Sequence, residues 1–150
     1  MFKKMLFTLI TAVLIVGLLV GCGAGGETGG GVPEDAALTV TGMVDSDVGW
    51  TADELQGMET MDVEVENKEG GMDAYTGVSI NALLEEASVQ GDASMVELIA
   101  SDGYSVEVDL GEIQACDNCI VAFDDDSFRS VLPGFPRNTG VKGLVEINVK

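Results

Sequence analysis

A short apolar run ending in a single cysteine divides this chain before any folding rule is applied. Lys3 and Lys4 precede the hydrophobic segment Met5 to Val20, and small residues then surround Cys22. That order of charge, apolar stretch and small-residue cleavage region marks an export signal. The run is shorter than the roughly 20 apolar residues that a membrane-spanning helix requires. Residues 1–21 are therefore expected to be removed as a signal peptide, with Gly-rich residues 22–36 left as a tether. Folding is confined to one domain, residues 37–150, which is large enough to bury a core without metals or disulfides.

Leu19, Val20, Gly21 and Cys22 resemble the lipobox of bacterial lipoproteins. The resemblance implies that Cys22 becomes a lipidated N-terminus. At about 0.8 kcal/mol per buried CH₂, two or three acyl chains hold a protein firmly on a bilayer. The expected location is the extracytoplasmic face of the cell membrane, and a flexible Gly-rich tether of this length reaches about 20 Å from it.

Charge then removes whole classes of partner. The chain has a formal net charge of -19, which becomes -21 once the two leader lysines are gone, and only Lys68, Arg129, Arg137, Lys142 and Lys150 remain as cations. Nucleic acid is excluded as a partner. A field of this sign also opposes small anions unless a local cationic pocket overrides it. Arg129, Arg137 and Lys142 lie close in sequence and form a candidate anion site; the competing reading is that each is paired with a neighbouring carboxylate. The chain contains no histidine, so Ser-His-Asp catalysis and His-containing zinc sites are ruled out. Gly21, Gly23 and Gly26 match G-x-G-x-x-G, but no strand precedes them and no helix follows, so the dinucleotide-binding context fails.

Hydrophobic periodicity predicts a strand-rich α+β domain with a mixed sheet and short helices. Alternation predicts strands over 37–44 and 61–66, and the T-x-x-E capping box at Thr51 and Glu54 predicts a short helix ending near Gly57, with Trp50 as the apolar residue before the cap. Ile80, Leu83, Leu84 and Ala87 recur at helical spacing. Residues 96–100 and 104–109 form a hairpin around Asp102-Gly103, with Tyr104, Val106 and Val108 on one face. Residues 119–123 and 128–132 form another around Asp124 to Asp126, which reads as a solvated turn because the calcium-loop spacing is absent. Val145, Ile147 and Val149 close the chain. The segment 133–140 is the one loop long enough to wrap a ligand. Met43, Met58, Met61, Met72 and Met95 read as core filler.

Cys116 and Cys119 form C-x-x-C in a compartment where thiols oxidise. A structural disulfide, a redox pair and half of a metal site all remain open. So short a loop gains only about 2 kcal/mol from closure.

The order of Leu38–Gly42 (L-T-V-T-G), Thr51–Leu55 (T-A-D-E-L), Tyr75–Val78 (Y-T-G-V), Ala100–Tyr104 (A-S-D-G-Y), Leu132–Gly134 (L-P-G) and Val141-Lys142 resembles the molybdopterin-binding domain of the sulfite oxidase family. The resemblance implies a mixed α and β domain holding molybdenum through a pterin dithiolene and one protein cysteine. Glu66 occupies the position that the resemblance assigns to that cysteine. A carboxylate is a hard donor where the metal centre takes soft thiolate. The resemblance also implies that Arg137 and Lys142, with Arg129 as a further candidate, grip the pterin phosphate. It places Tyr104 near an active-site tyrosine, against which stands a plain core role for a tyrosine at the start of a strand. Cys116 and Cys119 are the other catalytic candidates.

Three functions follow as expectations: a binding or accessory module without thiolate ligation, an active molybdopterin-dependent oxidoreductase, and a thiol-disulfide protein. A small anionic ligand and a redox or complex partner protein are the matching partners.

Overall fold

Alternating apolar residues become strands wherever one face can be buried, and here they assemble into two sheets. The structure, a computed structural model, describes residues 31–150. The expected signal peptide, the Cys22 lipidation site and the tether as far as residue 30 lie outside the described residues. Within them, no helix is long and apolar enough to cross a membrane.

The first sheet contains β1 (Leu38–Gly42), β2 (Val48–Trp50), β5 (Met95–Ala100), β6 (Ser105–Asp109) and β9 (Leu144–Val149) in the order β2-β1-β9-β5-β6. β1 and β9 run parallel and the other neighbours antiparallel, so the sheet is mixed, and the parallel pair is joined by the long connection that such pairing needs. The second sheet is an antiparallel meander in the order β3-β4-β7-β8, made of β3 (Thr60–Glu66), β4 (Met72–Ser79), β7 (Ile120–Asp124) and β8 (Ser127–Val131). The strand-rich α+β class expected from periodicity is the class observed.

Three short helices connect the strands. In α1 (Ala52–Gly57) the Thr51 hydroxyl accepts from the Glu54 amide at 3.3 Å and the Glu54 carboxylate accepts from the Thr51 amide at 2.8 Å, so both halves of the capping box form. α2 (Ile80–Ala87) buries Ile80, Leu83, Leu84 and Ala87, the residues that share one stripe by spacing. Each of the three large ones contributes about 2 kcal/mol by burial. α3 (Leu110–Gln114) is capped by Asp109, whose carboxylate accepts from the Glu112 amide at 3.0 Å.

The main core is filled by Leu38 and Val40 of β1, Val96 and Leu98 of β5, Ile147 and Val149 of β9, and the α2 stripe. A smaller cluster of Val63, Ile120, Ala122 and Val131, with Val65 and Tyr75 against it, occupies the second sheet. Gly77 is required at the crossing of β4 and β7: a Cβ there would fall on the Val121 carbonyl oxygen and 2.6 Å from Ala122 Cα.

Several local expectations change. Trp50 is a strand residue paired with Leu38 as well as the residue before the helix cap. Met61 and Met72 are exposed on the outer hairpin rather than filling the core, at 36% and 59%. Val32, Pro33 and Ala36, assigned to the tether, lie over Gly49 of β2.

Candidate functional site

Leu132 to Gly143 cannot continue β8 because Pro133 and Pro136 lack the amide that a ladder needs. Gly134 at φ +86° and Gly143 at φ +66° also adopt the left-handed conformation that glycine accepts most readily. The resulting loop is held from inside by Ser130, a buried residue of β8. Its hydroxyl donates to the Thr139 carbonyl at 2.6 Å and accepts from the Val141 amide at 2.8 Å. The Thr139 hydroxyl in turn donates to the Pro136 carbonyl at 2.7 Å. These bonds fold the loop, including the 3₁₀ turn η1 (Arg137–Thr139), back toward β8, and a bridge pairs Arg129 with Lys142.

Between this loop, β8 and the β3–β4 hairpin lies a cleft of about 860 Å³. Its lining includes Arg129, Arg137 and Lys142, the three cations singled out by their proximity in sequence, and also Glu66. Lys68 on the hairpin turn joins them, so four of the five Lys and Arg residues between 31 and 150 border one cleft. Glu64, Glu66, Glu69 and Asp73 supply an acidic rim on the hairpin side.

Arg129 is the most constrained of the cations. Its guanidinium lies over the Tyr75 ring at 4.8 Å, and Nη1 donates to the Tyr75 hydroxyl at 3.2 Å. Nη1 is also 3.7 Å from Asp124, a long contact for an ion pair. Only 17% of the Arg129 side chain is exposed, and its Nε is buried without a hydrogen-bond acceptor among the described residues. Contact with the Tyr75 ring and hydroxyl restrains the guanidinium, which lowers the entropy lost when it meets an anion. Arg137 and Lys142 form no ion pair among the described residues, although carboxylates far outnumber cations. The reading that every cation is neutralised by a neighbour therefore fails for these two.

Glu66 is the last residue of β3, exposed, opposite Met72. Tyr104 departs from the face expected for it. It precedes β6, is 46% exposed, and donates its hydroxyl to the Asn138 carbonyl at 3.0 Å. The Asp102 carboxylate caps the Tyr104 amide at 2.9 Å, turning the chain before the alternation begins. Tyr104 is thus neither core nor part of the cleft lining.

Cys116 and Cys119 are joined in a disulfide with Cα atoms 5.5 Å apart. Cys119 is fully buried, and neither cysteine lines the cleft. Their carbonyls hold the start of α2: the Ile80 amide donates to Cys119 O at 3.0 Å and Asn81 Nδ2 donates to Cys116 O at 3.2 Å. Among the described residues, no group of three or more Cys, Asp or Glu is arranged to hold a metal ion. The cleft thus offers cations, the rings of Tyr75 and Phe135, carboxylates, and no thiol.

Sequence reasoning missed Tyr75 as a site residue and Lys68 as a member of the cationic group. Tyr75 lies in the Y-T-G-V motif, but its meeting with Arg129 depends on the pairing of β4 with β7 and β7 with β8.

No family model and no curated protein matches the chain. Among solved structures, the sulfane dehydrogenase SoxCD from Paracoccus pantotrophus is similar, with a TM-score of 0.65, 17% sequence identity, and coverage of 77% of this chain and 38% of that one. The chain thus spans little more than a third of the length of that dehydrogenase, and at this identity what the two share is the strand-rich α+β fold.

Proposed function

We propose that this protein is a lipid-anchored, extracytoplasmic binding module whose cleft grips the phosphate of a small molecule, in a shell like that of the sulfite oxidase family's molybdopterin domain. The observation that carries this reading is the gathering of four of the five cations of residues 31–150 around one cleft, with Arg137 and Lys142 unpaired among the described residues. Arg129, restrained by the Tyr75 ring and hydroxyl, supplies a positioned positive charge, and Arg137 and Lys142 supply exposed arms. Charge-assisted hydrogen bonds of this kind are roughly twice as strong as neutral ones.

The fit to a molybdenum pterin divides in two. The cationic wall suits the phosphate. The metal would lack its thiolate: the family resemblance assigns the ligand position to Glu66, and both cysteines of residues 31–150 are held in a disulfide outside the cleft. No oxotransfer step is assigned to these residues. An active oxidoreductase is the second reading, favoured by the likeness to a dehydrogenase. The buried Cys119 argues against a thiol-exchange protein.

Titration of the full chain with inorganic pyrophosphate in a calorimeter tests the first reading. Arg137→Gln and Lys142→Gln should each weaken binding by about tenfold, as expected for a lost hydrogen bond to a charged group. Equal affinity in the double variant would refute it. Stoichiometric molybdenum in protein from its native host would establish the second reading instead. Cys22→Ser should move the protein from the membrane fraction to the soluble one, and continued membrane retention would remove the lipid anchor.

A further inference from the structure

Two loop carbonyls, those of Asn138 and Gly143, are held from the first sheet, and each belongs to the residue immediately after a cationic arm. Tyr104 Oη donates to Asn138 O at 3.0 Å, next to Arg137, and the Ser101 amide donates to Gly143 O at 2.8 Å, next to Lys142. Both donors belong to the β5–β6 turn, the A-S-D-G-Y motif. We infer that this turn is a brace that sets where Arg137 and Lys142 stand, and that Tyr104 is a positioning residue acting through the loop backbone; its effect on ligand affinity rests on the anion-binding reading above.

Three features make the brace a specific arrangement. The pairing of β5 with β9 slips between Ile99 and Ala100, so that Ala100 meets Leu144 while Ile99 meets Glu146. Such a bulge bends the strand and re-aims the residues beyond it, here bringing the Ser101 amide to Gly143. Gly103 at φ +88° and the Asp102 cap on the Tyr104 amide then turn the tyrosine toward the loop. Finally, Tyr104 is 46% exposed, so core packing does not explain where its ring lies. Its hydroxyl reaches the outer side of the loop, while Ser130 holds Thr139 and Val141 from the inner side. Arg137 and Lys142 therefore flank a segment fastened from both sheets.

Tyr104→Phe in the full chain removes the hydroxyl alone. Amide hydrogen exchange should accelerate across residues 137–141, while α2 and the melting temperature stay unchanged to within a few degrees, roughly the effect of an exposed hydrogen bond. Pyrophosphate binding should weaken by about two- to tenfold. In an Arg137→Gln, Lys142→Gln background the same substitution should change affinity no further, because the hydroxyl acts only through those arms. Unchanged exchange in the loop would overturn the brace. So would faster exchange with undiminished affinity in a protein that does bind pyrophosphate. Faster exchange in a protein that binds no pyrophosphate would uphold the brace and remove the anion reading on which its ligand effect depends.

Discussion

Ser130→Ala isolates the inner fastening of the loop. Ser130 is 1% exposed and its hydroxyl makes two bonds, one given to Thr139 O and one taken from the Val141 amide. An unsatisfied buried polar group costs about 1–3 kcal/mol, so two stranded groups set the upper range. The Val141 amide also reaches the Thr139 carbonyl at 3.0 Å, and that bond survives the substitution. Each backbone group keeps one partner, which brings the expected loss to about 2 kcal/mol. For a domain of this size that corresponds to a fall in melting temperature of roughly 8 °C. Urea unfolding followed by circular dichroism should show a lower midpoint with an unchanged slope, since the surface exposed on unfolding is the same. Pyrophosphate affinity should fall as well, because Arg137 and Lys142 ride on the loosened segment. A loss below about 0.5 kcal/mol, the range of ordinary surface substitutions, would refute the assignment of Ser130 as the inner anchor.

Gly77→Ala should destabilise the domain by about 3 kcal/mol in the same denaturation assay, because the obstacle is the backbone of Val121 and Ala122 and cannot rotate away. Replacing both Cys116 and Cys119 by alanine should cost about 2 kcal/mol of stability from the short closed loop, and should leave pyrophosphate affinity unchanged in calorimetry because the bridge lies outside the cleft. The carboxylate of Glu97 binds Lys150 Nζ at 2.7 Å and the Ser105 hydroxyl at 2.9 Å, which hold its pKa below the ordinary 4.5, while Glu97 and Glu107 raise that of Lys150 above 10.5. The Glu97 contribution is therefore present above pH 4.5 and lost as pH falls through the lowered value; the Lys150 contribution is present below pH 10.5 and lost as pH rises through the raised one. Glu97→Gln should flatten the melting-temperature profile at both ends, more visibly at low salt.

Legibility in the sequence followed how completely a segment is half-buried. The α2 stripe could be read because one face meets the core and the other meets water; the closing strand could be read from Ile147 and Val149, whereas Val145, the third residue of the expected alternation, is 37% exposed and Leu144 is buried. The Thr51–Glu54 cap could be read because its chemistry is local. β4 could not: Met72, Asp73 and Ala74 at its start are all exposed in a hairpin with β3, so no alternation marks them. β2 is three buried residues with no polar face, and α3 is too short for a stripe. The cationic group at 129–142 stood out because basic residues are scarce, whereas Tyr75 and Lys68 join it only through strand pairing. Tyr104 was misplaced for a different reason. Alternation does not extend backward through a turn in which the Asp102 side chain, rather than the ladder, sets the backbone.

A cationic cleft on a chain of net charge -19 poses a contest between local attraction and global repulsion, and distance decides it. A unit pair 4 Å apart gains about 4 kcal/mol at an effective dielectric of 20. The rim acids Glu64, Glu66, Glu69 and Asp73 offset part of that gain, while carboxylates outside the cleft act from farther away, and at physiological ionic strength charges beyond about 8 Å are largely screened. Once bound, an anion feels Arg129, Arg137 and Lys142 more than the rest of the surface. Before binding, at about 0.01 M salt, where screening extends to about 30 Å, it meets the whole negative field. Added salt should therefore act in opposite directions on the two steps. Raising ionic strength from about 0.01 to 0.15 M should speed pyrophosphate association by relieving long-range repulsion, and should speed dissociation by weakening the contacts in the cleft. Stopped-flow measurements separate the two rates. An association rate that falls steadily with salt would mean that the field outside the cleft is already attractive, and that the clustering of cations does not act only at short range.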